Sequence, residues 1–550
     1  MRFLDVPFRD LSPSPARSIS SGGDDARGFA PDDDATGHSC ESLRSWLRGC
    51  RASIHHLTHD HSTWGLKSTL GEQIVHELPG VNNDKFIPVG QLESLLCESN
   101  VTVELARLAM SESSFWHGLR HCGTARNVAK TICRGAGGED ARPDRCLRKI
   151  FATLLLIGYP AAIGDFIGEK LWDEDLPLRT ERDPGSDKLC LHLSDRTGKG
   201  ELGRKLPFSE NWQPHQVDQF ASSQWKVLAP FFSRLEWNYG LFSDEIILPF
   251  TALESIKSGG YSHAEIYHGE IHPQHHDFPC DVFAVKSIRV DDLGPDQFQK
   301  EVEMLRRVSN NEHIIDLFGT YQHRGSYHLI LPRAECDLET YWKSVSHGDL
   351  SENTAVLPWM AQQCEGLASG LNQVHHHFTT SMSSLFRKKA EKLGLISARK
   401  RTAPLAPDHP RKYQFHGVHG DIKPSNILWF PGPTTNGTLK ITDFGTGEYS
   451  DTESTRRPSD SVPFTPSYQP PERALDIDDE VDISWAYDVW MLGCLYLEFA
   501  TWVVGRYPML DEFTRSRRPA HADRGGASFF DIQADGQAVV KPEVEQVRLM

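Results

Sequence analysis

At 550 residues and 39% hydrophobic content, the chain is too long for one core and apolar enough to fold as two or more domains. Its formal net charge of −17 argues against general nucleic-acid binding. Its 11 cysteines form no Cys-x-x-Cys pair, which disfavours a zinc module and fits reduced thiols in an intracellular, cytoplasmic or nuclear protein.

Residues 1–38 are rich in Ser, Pro, Gly and Asp, including Asp32-Asp33-Asp34, and read as a disordered tail. Asp5, Arg9 and Asp10 interrupt any secretory-type apolar run, so none is expected. Residues 40–245 read as a mainly helical accessory region with no catalytic constellation and with room for a partner protein. Val101 to Ala109 and Arg148 to Leu156 would each bury an apolar face, and Trp225 to Phe232 adds bulky apolar material. The longest apolar block, Ile150 to Ile157 broken by Thr153, is too short to span a bilayer. The histidines at His55-His56 and His59-Asp60-His61 have no tetrahedral ligand spacing, so solvent-facing or core positions are the expectation.

From 246 onward the pattern changes. Ile256 to Ala264 contains Gly259-Gly260, a turn between two β-like runs. Val282-Phe283-Ala284-Val285-Lys286 predicts a short strand closed by a lysine. Phe298, Val302 and Leu305 fall at helical spacing, so a helix follows and carries Glu301 and Glu303. Leu329-Ile330-Leu331-Pro332-Arg333-Ala334 predicts another strand. Asp337 precedes Leu338 to Trp342, where an N-cap is one account of it. Residues 375–415 hold nine basic side chains against two acidic ones and read as a basic insert. Nuclear import or an acidic docking partner is one reading of it; a solvated loop is the other. His375-His376-His377 at its start reads as polar helix-end filler.

The chemistry concentrates in His419-Gly420-Asp421-Ile422-Lys423-Pro424-Ser425-Asn426, followed by Asp443-Phe444-Gly445. A carboxylate, an ammonium, a carboxamide and a second carboxylate are what phosphoryl transfer from a magnesium nucleotide requires. Asp421 would orient or accept the proton of the attacking hydroxyl, and Lys423 would steady the γ-phosphate. Asn426 and Asp443 are oxygen donors suited to Mg²⁺. Phe464-Thr465-Pro466-Ser467-Tyr468-Gln469-Pro470-Pro471-Glu472 comes next. Tyr487 to Glu498 then predicts a buried helix carrying Asp488.

Together these motifs resemble the eukaryotic protein kinases of the serine/threonine type, whose pattern is His-Arg-Asp, Asn and Asp-Phe-Gly in this order. The resemblance implies an α+β, two-lobed fold over 246–550, with a β-rich lobe to about 334 and a helical lobe after it. It implies ATP and Mg²⁺ as cofactors and a protein with a serine or threonine hydroxyl as substrate. Lys286, placed by Glu301 with Glu303 as runner-up, would hold the α- and β-phosphates. Ile256, Gly259, Gly260, Ala264, Ala284, Leu331, Ala334 and Asp337 (through the ribose) would surround the nucleotide. His419, Phe444, Gly445, Thr465, Glu472 and Asp488 would serve as structural or substrate-loop positions. The accessory region is similar to N-terminal extensions of kinase-like proteins from filamentous fungi.

Three departures stand out. Lys257 and Ser262 replace two glycines of the family's phosphate loop, which implies weaker nucleotide affinity. Gly420 replaces the arginine that usually pairs with an activation-loop phosphate. Ser450, Thr452, Ser454, Thr455, Ser459 and Ser461 then remain as phosphosites whose modification is expected to be dispensable. After Thr501 little chain is left, and no arginine partner for Glu472 is identifiable. The C-terminal helices therefore read as incomplete, with apolar surface of the Asp488 helix exposed. The alternative to an active enzyme is a pseudokinase-like scaffold that binds nucleotide and partners; a small-molecule kinase ranks third.

Overall fold

The computed structural model describes residues 66, 69–70, 85–111, 124–135, 145–183, 185–194, 202–256, 264–292, 295–308, 311–345, 356–379, 413–432, 436–450, 454–458, 465–475, 480–518 and 526–548. The expected tail, the histidines at 55–61 and most of the basic insert lie outside them. Helices α1 (Val89–Leu95), α2 (Glu98–Ser111), α3 (Ala125–Arg134), α4 (Arg148–Leu156) and α5 (Ile163–Gly168) open the accessory region. An antiparallel sheet follows, β1 (Arg179–Arg182), β2 (Leu189–Ser194) and β3 (Leu202–Lys205), then α6 (Pro214–Ser223). Beside its helices, the described part of 40–245 thus holds a three-stranded sheet. Helix α4 is its centre, buried from Ile150 through Leu155. Asp173 caps it by accepting the N–H groups of Lys149 and Ile150 at 2.9 and 3.0 Å, satisfying two donors that the first turn cannot.

A six-stranded sheet forms the next layer, ordered β4-β8-β9-β7-β6-β5. Its strands are β4 (Asn238–Leu241), β5 (Phe250–Ile256), β6 (Ala264–Ile271), β7 (Val282–Arg289), β8 (Gly319–His323) and β9 (Ser326–Pro332), with helix α7 (Pro295–Val308) between β7 and β8. The sheet is antiparallel except where β4 joins β8 in parallel, so it starts ahead of the 246 boundary that the sequence suggests. Alternation along β7 sorts its side chains between two faces. Phe283 and Val285 enter a core with Phe232, Phe250, Ile271, Tyr321 and Ile330. Ala284 and Ile288 meet the core beneath α7, with Phe298, Val302 and Leu305, and this is also the face of Lys286.

Past the sheet come β10 (Cys336–Asp337), α8 (Leu338–Ser344), α9 (Val356–His375), β11 (His377–Thr379) and β12 (Tyr413–Val418). Strands β13 (Ile427–Phe430), β14 (Thr438–Ile441), β15 (Glu448–Ser450) and β16 (Ser454–Pro458) follow, then α10 (Pro471–Leu475), β17 (Glu480–Ser484) and α11 (Trp485–Ser516). Helix α11 breaks at Arg506, whose φ of 59° is left-handed, two residues before Pro508. The chain ends in a hairpin of β18 (Phe530–Ile532) and β19 (Ala538–Val540), then α12 (Pro542–Arg548). No helix among the described residues is long and apolar enough to cross a membrane.

That last segment covers part of α11. Phe529 and Val544 are buried with Cys494 and Phe513, against Trp490 and Leu497. Trp485 and Val489 on the same helix remain 44% and 50% exposed. Arg517 locks the arrangement. It is fully buried, donates to Glu498 Oε1 at 2.5 Å and lies between the rings of Phe513 and Phe529. Glu498 also accepts the Tyr468 hydroxyl at 2.5 Å, and Lys541 donates to the Arg517 carbonyl at 2.6 Å. Removing one member of a buried pair strands the other charge. Arg517→Met is therefore expected to cost about 3 kcal/mol. The Arg517→Met/Glu498→Gln double variant should recover much of that loss, as read from urea midpoints.

Candidate active site

Lys286 leaves β7 toward α7. Its Nζ donates to Glu301 Oε1 at 2.7 Å and to Asp443 Oδ1 at 2.8 Å. Glu301 is 3% exposed and Lys286 13%, whereas Asp443 keeps 43% of its side chain in solvent. Burial alone would pull the ammonium's pKa down, but the carboxylates of Asp443 and Glu301 outweigh it and raise it above the usual lysine value. In return Lys286 holds the Asp443 carboxyl at about 2 against its own burial. Glu303, the alternative partner, pairs instead with Arg307 at 3.6 Å.

Asp443 has φ of 64°, a left-handed conformation that aspartate tolerates and most residues avoid. Phe444 beside it is fully buried, its ring 4.9 Å from that of His419. A Cβ at Gly445 would come within 3.3 Å of Glu301 Oε2, a tight approach, and within an ordinary contact distance of 3.5 Å of Asp443 Oδ1.

A second group stands on the turn after β12. Asp488, fully buried on α11, accepts the N–H groups of His419 and Gly420, each at 2.7 Å. It also bonds His375 Nε2 at 2.9 Å, so the residue read as helix-end filler is a buried partner of this carboxylate. No spacing signal joins positions 375 and 488; only the crossing of α9 and α11 does. Gly420 has φ of 81°, a conformation that is costly for any residue with a Cβ. Asp421 Oδ1 accepts the Thr465 hydroxyl at 2.8 Å. Its Oδ2 takes Lys423 Nζ at 2.6 Å and Asn426 Nδ2 at 3.0 Å. Asn426 Nδ2 also donates to the Asp421 carbonyl at 2.8 Å, and Lys423 reaches Thr465 Oγ1 at 3.3 Å. The two groups are tied through the backbone. Thr442 N–H donates to the Asn426 carbonyl at 3.0 Å, and His419 Nε2 donates to the Thr442 carbonyl at 2.9 Å.

The remaining candidates lie along the sheet edge and beyond it. Ile256 and Ala264 close the β5–β6 hairpin, whose turn with Gly259 and Gly260 lies outside the described residues. Ala284 stands opposite Leu331 in the β7–β9 register, and Ala334 follows β9. Asp337 Oδ1 accepts the Thr340 N–H at 2.7 Å, the N-cap arrangement of α8. Glu472 is exposed on α10, and the buried Arg517 pairs with Glu498. Among the described residues no cluster of His, Cys, Asp and Glu has the makings of a metal centre of its own.

Residues 413–521 match the model of the protein kinase domain. The chain carries a protein kinase domain. MAP kinase kinase kinase wis4 of Schizosaccharomyces pombe is 25% identical over 234 residues, 40% of this chain and 13% of that protein. Serine/threonine-protein kinase RUNKEL of Arabidopsis thaliana is 36% identical over 107 residues, 19% of this chain and 7% of that protein. An Aurora kinase of Debaryomyces hansenii is 33% identical over 122 residues, 22% of this chain and 26% of that protein. The chain thus spans a quarter or less of the length of most of the relatives it matches. The domain match contains Asp421, Asn426, Asp443 and Asp488, while Lys286 and Glu301 lie upstream of it.

Two outcomes follow from this geometry. Lys286→Met leaves the carboxylates of Glu301 and Asp443 without their shared cation and should cost about 3 kcal/mol. Lys286→Met/Glu301→Gln should be more stable than Lys286→Met alone in urea unfolding. Gly420→Ala places a Cβ at positive φ and should cost about 1 kcal/mol by the same assay.

Proposed function

We propose that this chain transfers the γ-phosphate of ATP to a serine or threonine hydroxyl of a protein substrate. The observation that carries the reading is the sharing of one ammonium, that of Lys286, between Glu301 and Asp443 at hydrogen-bond distance, backbone-linked to the loop that presents Asp421. Such an ammonium is pre-positioned for nucleotide phosphates, and a fixed cation needs no reorganisation when charge develops.

In this reading Asp421 orients the incoming hydroxyl and takes its proton. Thr465, Lys423 and Asn426 already hold both of its oxygens, so the carboxylate cannot swing away. Lys423 lies beside it to steady the transferring phosphoryl group. The donor set suits Mg²⁺. With both N–H bonds of Asn426 directed at Asp421, its Oδ1 is the atom left to offer a cation, and Asp443 supplies an ionised carboxylate. Bound there, Mg²⁺ would neutralise phosphate charge. Because Lys286 holds the Asp443 carboxyl well below the usual carboxylate range, it is expected to contribute no limb to a pH–rate profile at neutral pH.

The activation segment is supported by backbone pairing. Val418 to His416 pair with Glu448 to Ser450, and Ser454 to Pro458 pair with Ser484 to Glu480. With Gly420 in place of a phosphate-binding arginine, this ladder is the tether the reading relies on. A fully dephosphorylated preparation is accordingly expected to stay active. One that was inert, and recovered on phosphorylation, would overturn this point.

The decisive experiment is radiolabelled γ-phosphate transfer to a generic protein substrate by the native chain, Asp443→Asn and Lys286→Met. Signal is expected from the native chain alone, with losses of roughly 10²-fold or more in the variants. Equal signals, together with retained Mg-ATP binding by the native chain, would point instead to a nucleotide-binding scaffold.

A further inference from the structure

Glu301 meets Lys286 only if α7 stands at the right place against the sheet. Phe298, Val302, Met304, Leu305 and Val308 bury one side of that helix. Its last turn is held differently. The guanidinium carbon of Arg306 lies 3.7 Å from the centre of the Trp237 ring, close contact for a cation over an indole face. Arg306 stands five residues beyond Glu301, about 7.5 Å further along the helix axis.

Trp237 belongs to the segment that precedes β4 and is fixed from both sides. Its carbonyl accepts the Thr320 N–H at 2.7 Å, which ties it to β8. Behind it, Phe232 N–H donates to the His275 carbonyl at 2.8 Å, and the Phe232 carbonyl accepts the Asp277 N–H at 3.2 Å. Asp277 accepts from the Ser233 hydroxyl and the Arg234 N–H at 2.9 and 2.5 Å. His275, 1% exposed, donates from Nδ1 to the Pro230 carbonyl at 2.9 Å and accepts the Val89 N–H of α1 on Nε2 at 3.1 Å. The indole therefore sits on a support that runs from the accessory helices to the sheet edge.

We propose that Trp237 is a positioning residue for the Glu301–Lys286 pair: anchored through β8 and His275, its indole holds Arg306 and with it the last turn of α7. The catalytic consequence rests on the phosphotransfer reading, whereas the position of α7 is measurable without turnover.

The test compares the full-length chain with Trp237→Ala, Trp237→Phe, Arg306→Gln and the Trp237→Ala/Arg306→Gln double variant. Amide hydrogen exchange is followed across 295–308 and, as a control, across 485–505. Either single variant is expected to speed exchange in the last turns of α7 about fivefold, the double no further, and Trp237→Phe less, because its ring still offers a face to the cation. Exchange across 485–505 should not change. In steady-state transfer kcat should fall, with Trp237→Phe partly restoring it. Should Trp237→Ala fail to fold, Arg306→Gln, at an exposed position, carries the same comparison. Unmoved exchange over 295–308 in the folded single variants, or fully additive effects in the double, would overturn the proposal. An inert native chain would count against phosphotransfer and leave the exchange result to decide this point by itself.

Discussion

One ammonium joins three parts of this molecule. Lys286 comes from the sheet, Glu301 from the helix lying on it, and Asp443 from the segment after β14. A nearly buried cation is tolerable only with compensating charge, and a nearly buried Glu301 is tolerable only with a cation. Lys286 thus takes its compensating charge from both carboxylates, and Glu301 takes its own from Lys286. The hydrophobic faces of β7 and α7 bring the partners close, and the charges then select the register. Gly445 leaves room for this, since a side chain there would press on Glu301.

A second carboxylate organises the turn bearing Asp421 from beneath. Asp488 has no solvent exposure, yet its oxygens are occupied by His419 N–H, Gly420 N–H and His375. A buried carboxylate with this many donors acts as a fixed template for the backbone. The turn it imposes puts Gly420 at a positive φ, so the residue type and the geometry are mutually consistent.

The lower part of the helical half follows the same logic. Glu498, Tyr468 and Arg517 connect α11 to the segment bearing Thr465, and Phe529 covers the arginine from above. Residues 526–548 thereby shield a face of α11 around Trp490 and Cys494 that the sequence, read by itself, left bare. The sequence offered no reason to join positions 498 and 517, because the helix break at Arg506 that lets the chain return is a tertiary event.

What the sequence determined by itself is the order and kind of reactive groups. Asp421, Lys423 and Asn426 are close in the chain, so local backbone geometry confines them to one turn, and their chemistry is legible from spacing. The short apolar run at 282–285 closed by Lys286 and the helical spacing of Phe298, Val302 and Leu305 are likewise local, because they reflect what each segment buries. Partners far apart in the chain were decided by tertiary structure: His375 with Asp488, Glu498 with Arg517, and Trp237 with Arg306. The same holds for β4, whose residues carry no alternation and become a strand only because β8 offers an open edge. Periodicity reports what a segment must hide; which distant group meets it depends on packing, and no local pattern encodes that.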